Sequence, residues 1–234
     1  EAHVRARGHS SGAASGGDAS APMSSCFLRP RLRVRRRFFG GDRPFILFVG
    51  KSSTRRNIPL LLRAFAQLKR EEKIPHGLLL FGPNPNNLPL AEICAELGIT
   101  NDVVQTDGKI DDHSELVPIY NAAEVFVHPS EYEGWSMTTV EAMACGTAVI
   151  AANRGGLGEA ANGHALMLDA PTVESLADAL RRVLSDDALS KHVNGIRKAL
   201  RDPGAAYVLT EHGTVRFVYH DVHVGSEIPL DPPP

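Results

Sequence analysis

EVFVHPSEYEGWSMTTVEAMACGTAVIA, the stretch from Glu124 to Ala151, holds a strand, a loop, a helix and a second strand in one run. Glu124-Val125-Phe126-Val127-His128 is apolar and closes on Pro129, a helical pattern starts at Met137, and Ala148-Val149-Ile150-Ala151 is apolar again. Short apolar runs alternating with helices are the pattern of a parallel sheet covered on both faces. Two carboxylates follow the first of these strands, Glu133 in the loop and Glu141 on the helix, and both can address one bound molecule.

The same alternation extends in both directions. Upstream, strands are predicted at Phe45 to Val49, Gly77 to Phe81 and Val103 to Thr106. Helices fall at about Asn57 onward, Leu90 to Leu97 and Glu115 to Asn121. In the first of these, Asn57 is the expected cap, with Leu61, Ala64, Phe65 and Leu68 on one face. Downstream come a short strand at Ala165 to Leu168 and helices at Val173 to Leu184 and Asp187 to Leu200. The prediction is a doubly wound α/β parallel sheet, Rossmann-like, over residues 31–200.

The flanks have a different character. Residues 1–30 are rich in Gly, Ser, Ala and His and have little apolar periodicity, so they are expected to be disordered. Between Arg29 and Arg37, Leu32, Val34 and Phe38 interleave with arginines, which predicts a solvated amphipathic lead-in and not a polybasic patch. Residues 201–234 read as an irregular tail with a possible β-hairpin, ending in Pro232-Pro233-Pro234.

A net charge of −2 makes no case for nucleic acid as a partner. No apolar run has the length of a signal-peptide core or a membrane span. Cys26, Cys94 and Cys145 are too few and too scattered for a disulfide framework or a zinc site. A cytoplasmic location is expected, with peripheral attachment to a membrane left open.

In an open parallel sheet, ligands bind beyond the carboxyl ends of the strands, where neighbouring strands send their connections to opposite faces. For a strand order of 3-2-1-4-5-6 that crevice separates the first and fourth strands. The loop after the first strand, Gly50-Lys51-Ser52-Ser53-Thr54-Arg55-Arg56-Asn57, sets Lys51 at the strand end and Arg56 at the entrance of the next helix. Two cations beside a helix N-terminus suit a diphosphate, although solvated loops also carry such residues. Across the crevice, Glu141 lies among Met137, Thr138, Ala144 and Cys145, with no charged partner in its own helix. A carboxylate on so apolar a face needs a hydrogen-bonding partner, and a sugar diol is one.

The Glu133 to Glu141 stretch, with Glu141-Ala142-Met143-Ala144-Cys145-Gly146-Thr147 and Gly156-Leu157-Gly158-Glu159 beyond it, closely resembles the signature of GT-B nucleotide-sugar glycosyltransferases, the retaining family 4 type. The resemblance covers about Leu32 to Leu200 and implies the C-terminal, donor-binding half of such an enzyme. Gly50-Lys51 and Arg56-Asn57 are similar to the family's basic loop with Lys and Arg exchanged, so Lys51 and Arg56 take the role of holding the donor diphosphate and neutralising the departing nucleotide. Glu133 corresponds to the glutamate near the donor sugar, and these three form the implied catalytic set. Glu141 matches the residue that bonds the ribose hydroxyls, and Gly82 and Gly108-Lys109-Ile110 the positions lining the base. Gly134, Ser136, Met137 and Thr138 fall in the turn whose amides meet phosphate and sugar, where Trp135-Ser136 replaces a usual Phe-Gly.

By resemblance, then, a glycosyl unit passes from a nucleotide-diphosphate sugar to a hydroxyl acceptor, without metal or other cofactor and with retention. A further N-terminal GT-B domain would be the partner that binds acceptor. A nucleotide-sugar-binding module without independent transfer is the alternative, and a sugar-nucleotide epimerase a third reading that does not account for the two glutamates. His128 reads as a satisfied strand-end histidine, Cys145 as packing, and His220 and His223 as opposite faces of a strand and no metal site.

Overall fold

The computed structural model describes residues 30–107, 116–161 and 165–185 and, as backbone, 23–29, 205–209, 215–219 and 222–227. Six strands, β1 (Phe45–Val49), β2 (Gly77–Phe81), β3 (Val103–Thr106), β4 (Val125–His128), β5 (Ala148–Ala152) and β6 (Leu166–Leu168), form one sheet in the order β3-β2-β1-β4-β5-β6. Every neighbouring pair is parallel, with Ile46 opposite Leu78 on one side of β1 and Val125 on the other. The doubly wound sheet expected from the alternating runs is the fold observed.

Each inner strand is apolar, save for His128 at the end of β4, because both of its faces are covered, and the pleat divides its residues between two cores. Ile46, Phe48, Leu78, Leu80, Val125, Val127 and Ile150 point to one side, onto α2 (Ile58–Glu71), α3 (Leu90–Glu96) and α7 (Val173–Ser185). Phe45, Leu47, Val49, Leu79, Phe81, Phe126 and Val149 point to the other, onto α1 (Met23–Phe39), α4 (Leu116–Ala122), α5 (Met137–Ala144) and α6 (Leu157–Ala161). In α2, Leu61, Ala64, Phe65 and Leu68 are all fully buried, the i, i+3, i+4, i+7 stripe of an amphipathic helix. Chain leaving β1 enters α2 on the first side, and chain leaving β4 enters α5 on the second. The switch point therefore falls between these two strands.

Three local expectations need correction. Helix α1 begins at Met23, inside the segment expected to lack structure; residues 1–22 lie outside the described residues. Its arginine-rich half is amphipathic as expected, with Arg33, Arg36 and Arg37 exposed, but its other face is docked on the sheet. Val34 enters the second core, Phe38 meets Phe81 edge-on, and Arg31 and Arg35 both reach Glu124 at the start of β4. Local composition conceals this helix because its partners are distant in sequence.

Asn57, the expected side-chain cap, instead adopts a left-handed conformation (φ 53°) between a 3-10 turn at Thr54–Arg56 and α2, and makes no side-chain cap bond. The tail is a three-stranded antiparallel meander and not a single hairpin. β7 (Ala205–Leu209), β8 (Val215–Tyr219) and β9 (Val222–Glu227) pair in that order, because the run from Thr214 to Val224 reverses between Tyr219 and Val222. The expected helix from Asp187 to Leu200 lies outside the described residues, as does His220. No described helix is long and apolar enough to cross a membrane.

Candidate functional site

Gly50 and Gly82 end β1 and β2, and their backbones touch. The amide of Gly50 donates to Phe81 O at 2.9 Å, and a Cβ on Gly82 would lie 2.0 Å from Gly50 O. No larger residue fits at Gly82, whose φ of +152° an L side chain rarely adopts. The chain then passes the exposed Lys51, buries Ser52, and tightens into the 3-10 turn that carries Arg55 and Arg56. The Arg56 guanidinium folds back over the strand end, so that a Cβ on Gly50 would meet its Nη1 at 2.2 Å.

This turn is fastened to the loop after β4. The amide of Glu131 donates to Arg55 O at 2.9 Å, and Asn57 Nδ2 donates to Pro129 O at 3.1 Å. Glu133 sits at the centre, only 12% exposed. Its Oε1 accepts Arg56 Nη2 at 2.9 Å and its Oε2 accepts Arg55 Nη1 at 3.1 Å, while Arg55 Nη1 also donates to Tyr132 O. Burial pulls the pKa of Arg56 down and the Glu133 charge pushes it back, which leaves a charged guanidinium held against a charged carboxylate.

The loop is held from behind as well. The amide of Gly156 donates to Glu133 O at 2.9 Å, and a Cβ there would lie 1.6 Å from Gly134 O. Beyond Gly134, Ser136 caps α5 by accepting from the Thr139 amide at 3.4 Å, and its Oγ lies 2.8 Å from Thr139 Oγ1. Tyr132, Trp135 and Met137 are exposed along this rim.

Glu141 has a protein partner. Tyr120 on α4 donates its phenolic hydrogen to Glu141 Oε2 at 2.9 Å, and burial together with the Glu141 charge pushes the Tyr120 pKa upward, so the phenol stays a donor. Among the described residues the other oxygen, Oε1, has no hydrogen-bond partner.

The structure thus brings Gly50, Gly82, Arg56 and Glu133 together at the switch point, with Gly134 and Ser136 continuing the same loop. Lys51 stands beside them with no ion-pair partner among the described residues. No described bond joins Glu141 to the Glu133 cluster. Lys109 and Ile110 lie outside the described residues.

Two contributors escaped the sequence reading. Arg55 is one, since the sequence singles out Arg56 at the helix entrance and nothing local says that both adjacent arginines reach Glu133. Tyr120 precedes Glu141 by 21 residues and meets it only because α4 and α5 pack side by side.

His128, at the end of β4, is 1% exposed, with the rings of Phe48 and Phe126 each 6.0 Å away at 71° and 74°. Its Nδ1 lies 3.0 Å from Ser130 Oγ, but Nε2 has no hydrogen-bond partner among the described residues and stands 3.7 Å from Glu133 Oε1. Burial, and then the charges of Arg56 and Arg55, push its pKa down to about 3. The ring is therefore neutral at ordinary pH, and its approach to Glu133 is not an ion pair. The expectation of a satisfied histidine is half met, at one nitrogen of two.

Known proteins share this arrangement of the chain. The D-inositol 3-phosphate glycosyltransferase of Rhodococcus jostii (strain RHA1) is 34% identical over 178 residues, which cover 73% of this chain and 36% of the relative. The C-terminal domain of the glycosyl transferase group 1 family protein LpcC from Francisella tularensis superposes with a TM-score of 0.61 at 20% identity, over 73% of this chain and 90% of that one. Anabaena Alr3699/HepE, solved in complex with UDP and glucose, gives 0.57 at 18% identity, over 75% and 52% of the two chains. The latter two likenesses bear on fold, that of the C-terminal half of GT-B glycosyltransferases. The chain spans little more than a third of the curated relative it matches. The family description "Glycosyl transferases group 1" fits residues 33–201, and the chain belongs to that family.

Proposed function

We propose that the crevice between the loops after β1 and β4 binds a nucleotide-diphosphate sugar, and that the chain is the donor half of a retaining, metal-independent glycosyltransferase of the family 4 type acting on a hydroxyl acceptor. The observation that carries the reading is the meeting of Arg56 and Glu133 across the switch point at 2.9 Å. It supports the reading because a cation suited to a diphosphate and a carboxylate suited to sugar hydroxyls would then lie within reach of one ligand. Lys51 and Arg56 would hold the diphosphate and stabilise the charge that develops on it as the glycosidic bond breaks, the work a divalent ion does elsewhere. Glu133 would orient the sugar, and Glu141, steadied by Tyr120, would accept from the ribose hydroxyls through Oε1.

Gly50, Gly82, Gly134, Ser136, Met137 and Thr138 would line the crevice, with Lys109 and Ile110 beside the base. The UDP and glucose bound by the Anabaena neighbour support a nucleotide-sugar donor. The sparse cysteines favour a cytoplasmic setting, which is part of the proposal.

Titration calorimetry with UDP-glucose and GDP-mannose tests it. The intact chain should bind one of them, and Lys51→Ala and Glu141→Ala should each abolish or greatly weaken binding. Unchanged affinity in both would remove the basis of the assignment.

The share of its relatives that the chain spans favours a second reading, a module that holds the donor but transfers only when an acceptor-binding half completes the cleft. Release of nucleoside diphosphate in the presence of acceptor would support transfer by the chain alone. Binding without turnover would support the module.

A further inference from the structure

Glu133 has two oxygens with different surroundings. Oε2 is held by Arg55, which is itself tied to Tyr132 O and, through its own carbonyl, to the amide of Glu131. Oε1 is held by Arg56, the residue that a diphosphate would draw away. Once Arg56 turns to a phosphate, His128 Nε2 remains 3.7 Å from Oε1, buried and without a hydrogen-bond partner among the described residues. Buried polar atoms are seldom left unpaired without cause. We propose that His128 is a positioning residue: its Nε2–H takes the place on Glu133 Oε1 that Arg56 vacates when a diphosphate binds, and so keeps the carboxylate aimed at the donor sugar. The inference rests on the donor-binding reading above.

The neighbours accommodate the tautomer that the proposal requires. Ser130 is fully buried, and the one bond its hydroxyl makes among the described residues is to His128 Nδ1 at 3.0 Å. If Nδ1 carried the proton, Nε2 would present a bare lone pair to a carboxylate oxygen. With the hydroxyl donating to Nδ1, the proton lies on Nε2 and faces that oxygen with the favourable sign. Phe48 and Phe126 crowd the ring edge-on, leaving it little room to turn toward another partner. Burial, and then the two guanidiniums, keep the imidazole neutral. It can then donate without cancelling the negative charge that Glu133 needs to accept from sugar hydroxyls.

The readout is the sugar preference, the ratio of the Kd for UDP to that for UDP-glucose, or of GDP to GDP-mannose, measured on the intact chain by calorimetry. His128→Phe removes both nitrogens and suits the aromatic surroundings. His128→Asn places an amide near the Nδ1 position and none near Nε2, whereas His128→Gln places one near Nε2. The preference is expected to fall about tenfold in His128→Phe and His128→Asn, the size of one hydrogen bond to a charged group, and to return in His128→Gln. A merely structural histidine would not produce that order.

Preference unchanged in the Phe and Asn variants, or lost equally in the Gln variant, would overturn the inference while leaving donor binding intact. A wild-type chain that binds neither nucleotide sugar would overturn both together. Nitrogen-15 spectra of the wild-type histidine give a check that needs no variant: the proton should lie on Nε2, and finding it on Nδ1 would also overturn the inference.

Discussion

Replacing His128 with phenylalanine should change how stability responds to acid, and by a calculable amount. In the folded chain the ring is buried and its pKa lies at about 3, against the ordinary 6.5 of an exposed histidine. Between those values the unfolded chain binds a proton that the folded chain refuses, so stability rises with pH across this window and falls as pH drops below about 6.5. At pH 5 the unfolded imidazole is almost fully protonated and the folded one is not. Proton uptake then favours the unfolded state by about 1.4 kcal/mol for each of roughly one and a half pH units, about 2 kcal/mol in all. At pH 7.5 the same contribution is close to zero. For a chain of this size that is a shift of about 4 to 8 °C in Tm.

Denaturant midpoints of the full chain should be measured at pH 7.5 and pH 5 for wild type and His128→Phe. His76 is also pushed below its ordinary value by burial and is present in both proteins, so its share cancels in the difference. The variant should lose about 2 kcal/mol less than wild type between the two pH values. Equal losses would refute the account, because they would mean that His128 takes up its proton in the folded chain as readily as in the unfolded one.

Two further outcomes follow from contacts at the site. Gly156→Ala would place a methyl group 1.6 Å from Gly134 O and must push the Glu133 loop away from β5. It is expected to cost about 1 to 3 kcal/mol, read by thermal unfolding, and to weaken nucleotide-sugar binding as well. Tyr120→Phe keeps the ring in the second core but removes the donor to Glu141, at a cost of about 1.5 kcal/mol. A fall in nucleotide affinity beyond what the fold loses would show that Glu141 is steadied from α4, and no change in either would show that the bond contributes nothing.

The sheet was legible because its strands are buried on both faces and so announce themselves as unbroken apolar runs. Phe45 to Val49 and Gly77 to Phe81 need no tertiary knowledge to be found, and the alternation with helices is enough to infer parallel pairing. Helix α1 was not legible, since its arginines look solvated until Glu124 is placed beside them. The site divides in the same way. Arg56 and Glu133 could be named from their positions after β1 and β4, because the switch point is a property of topology. Arg55, Tyr120 and the unpaired nitrogen of His128 could not, because each depends on which side chain lies opposite across a gap that only packing sets.

That difference also bears on how the crevice would work if it holds a nucleotide sugar. Arg56 and Glu133 are assigned to opposite ends of one ligand, yet in this structure they bind each other, at 18% and 12% exposure. A partly buried charge left alone is costly, so a diphosphate gains Arg56 only if Glu133 is compensated in the same event. Arg55 can remain on Oε2, while His128 and a sugar hydroxyl can both donate to Oε1. A ligand with phosphate but no sugar would leave that oxygen to His128 alone. Lys51, exposed and without an ion-pair partner among the described residues, has no such cost and could meet the phosphate first. On the proposed reading the loop would separate capture of the anion by Lys51 from recognition of the whole donor, which would require two charges to change partners together.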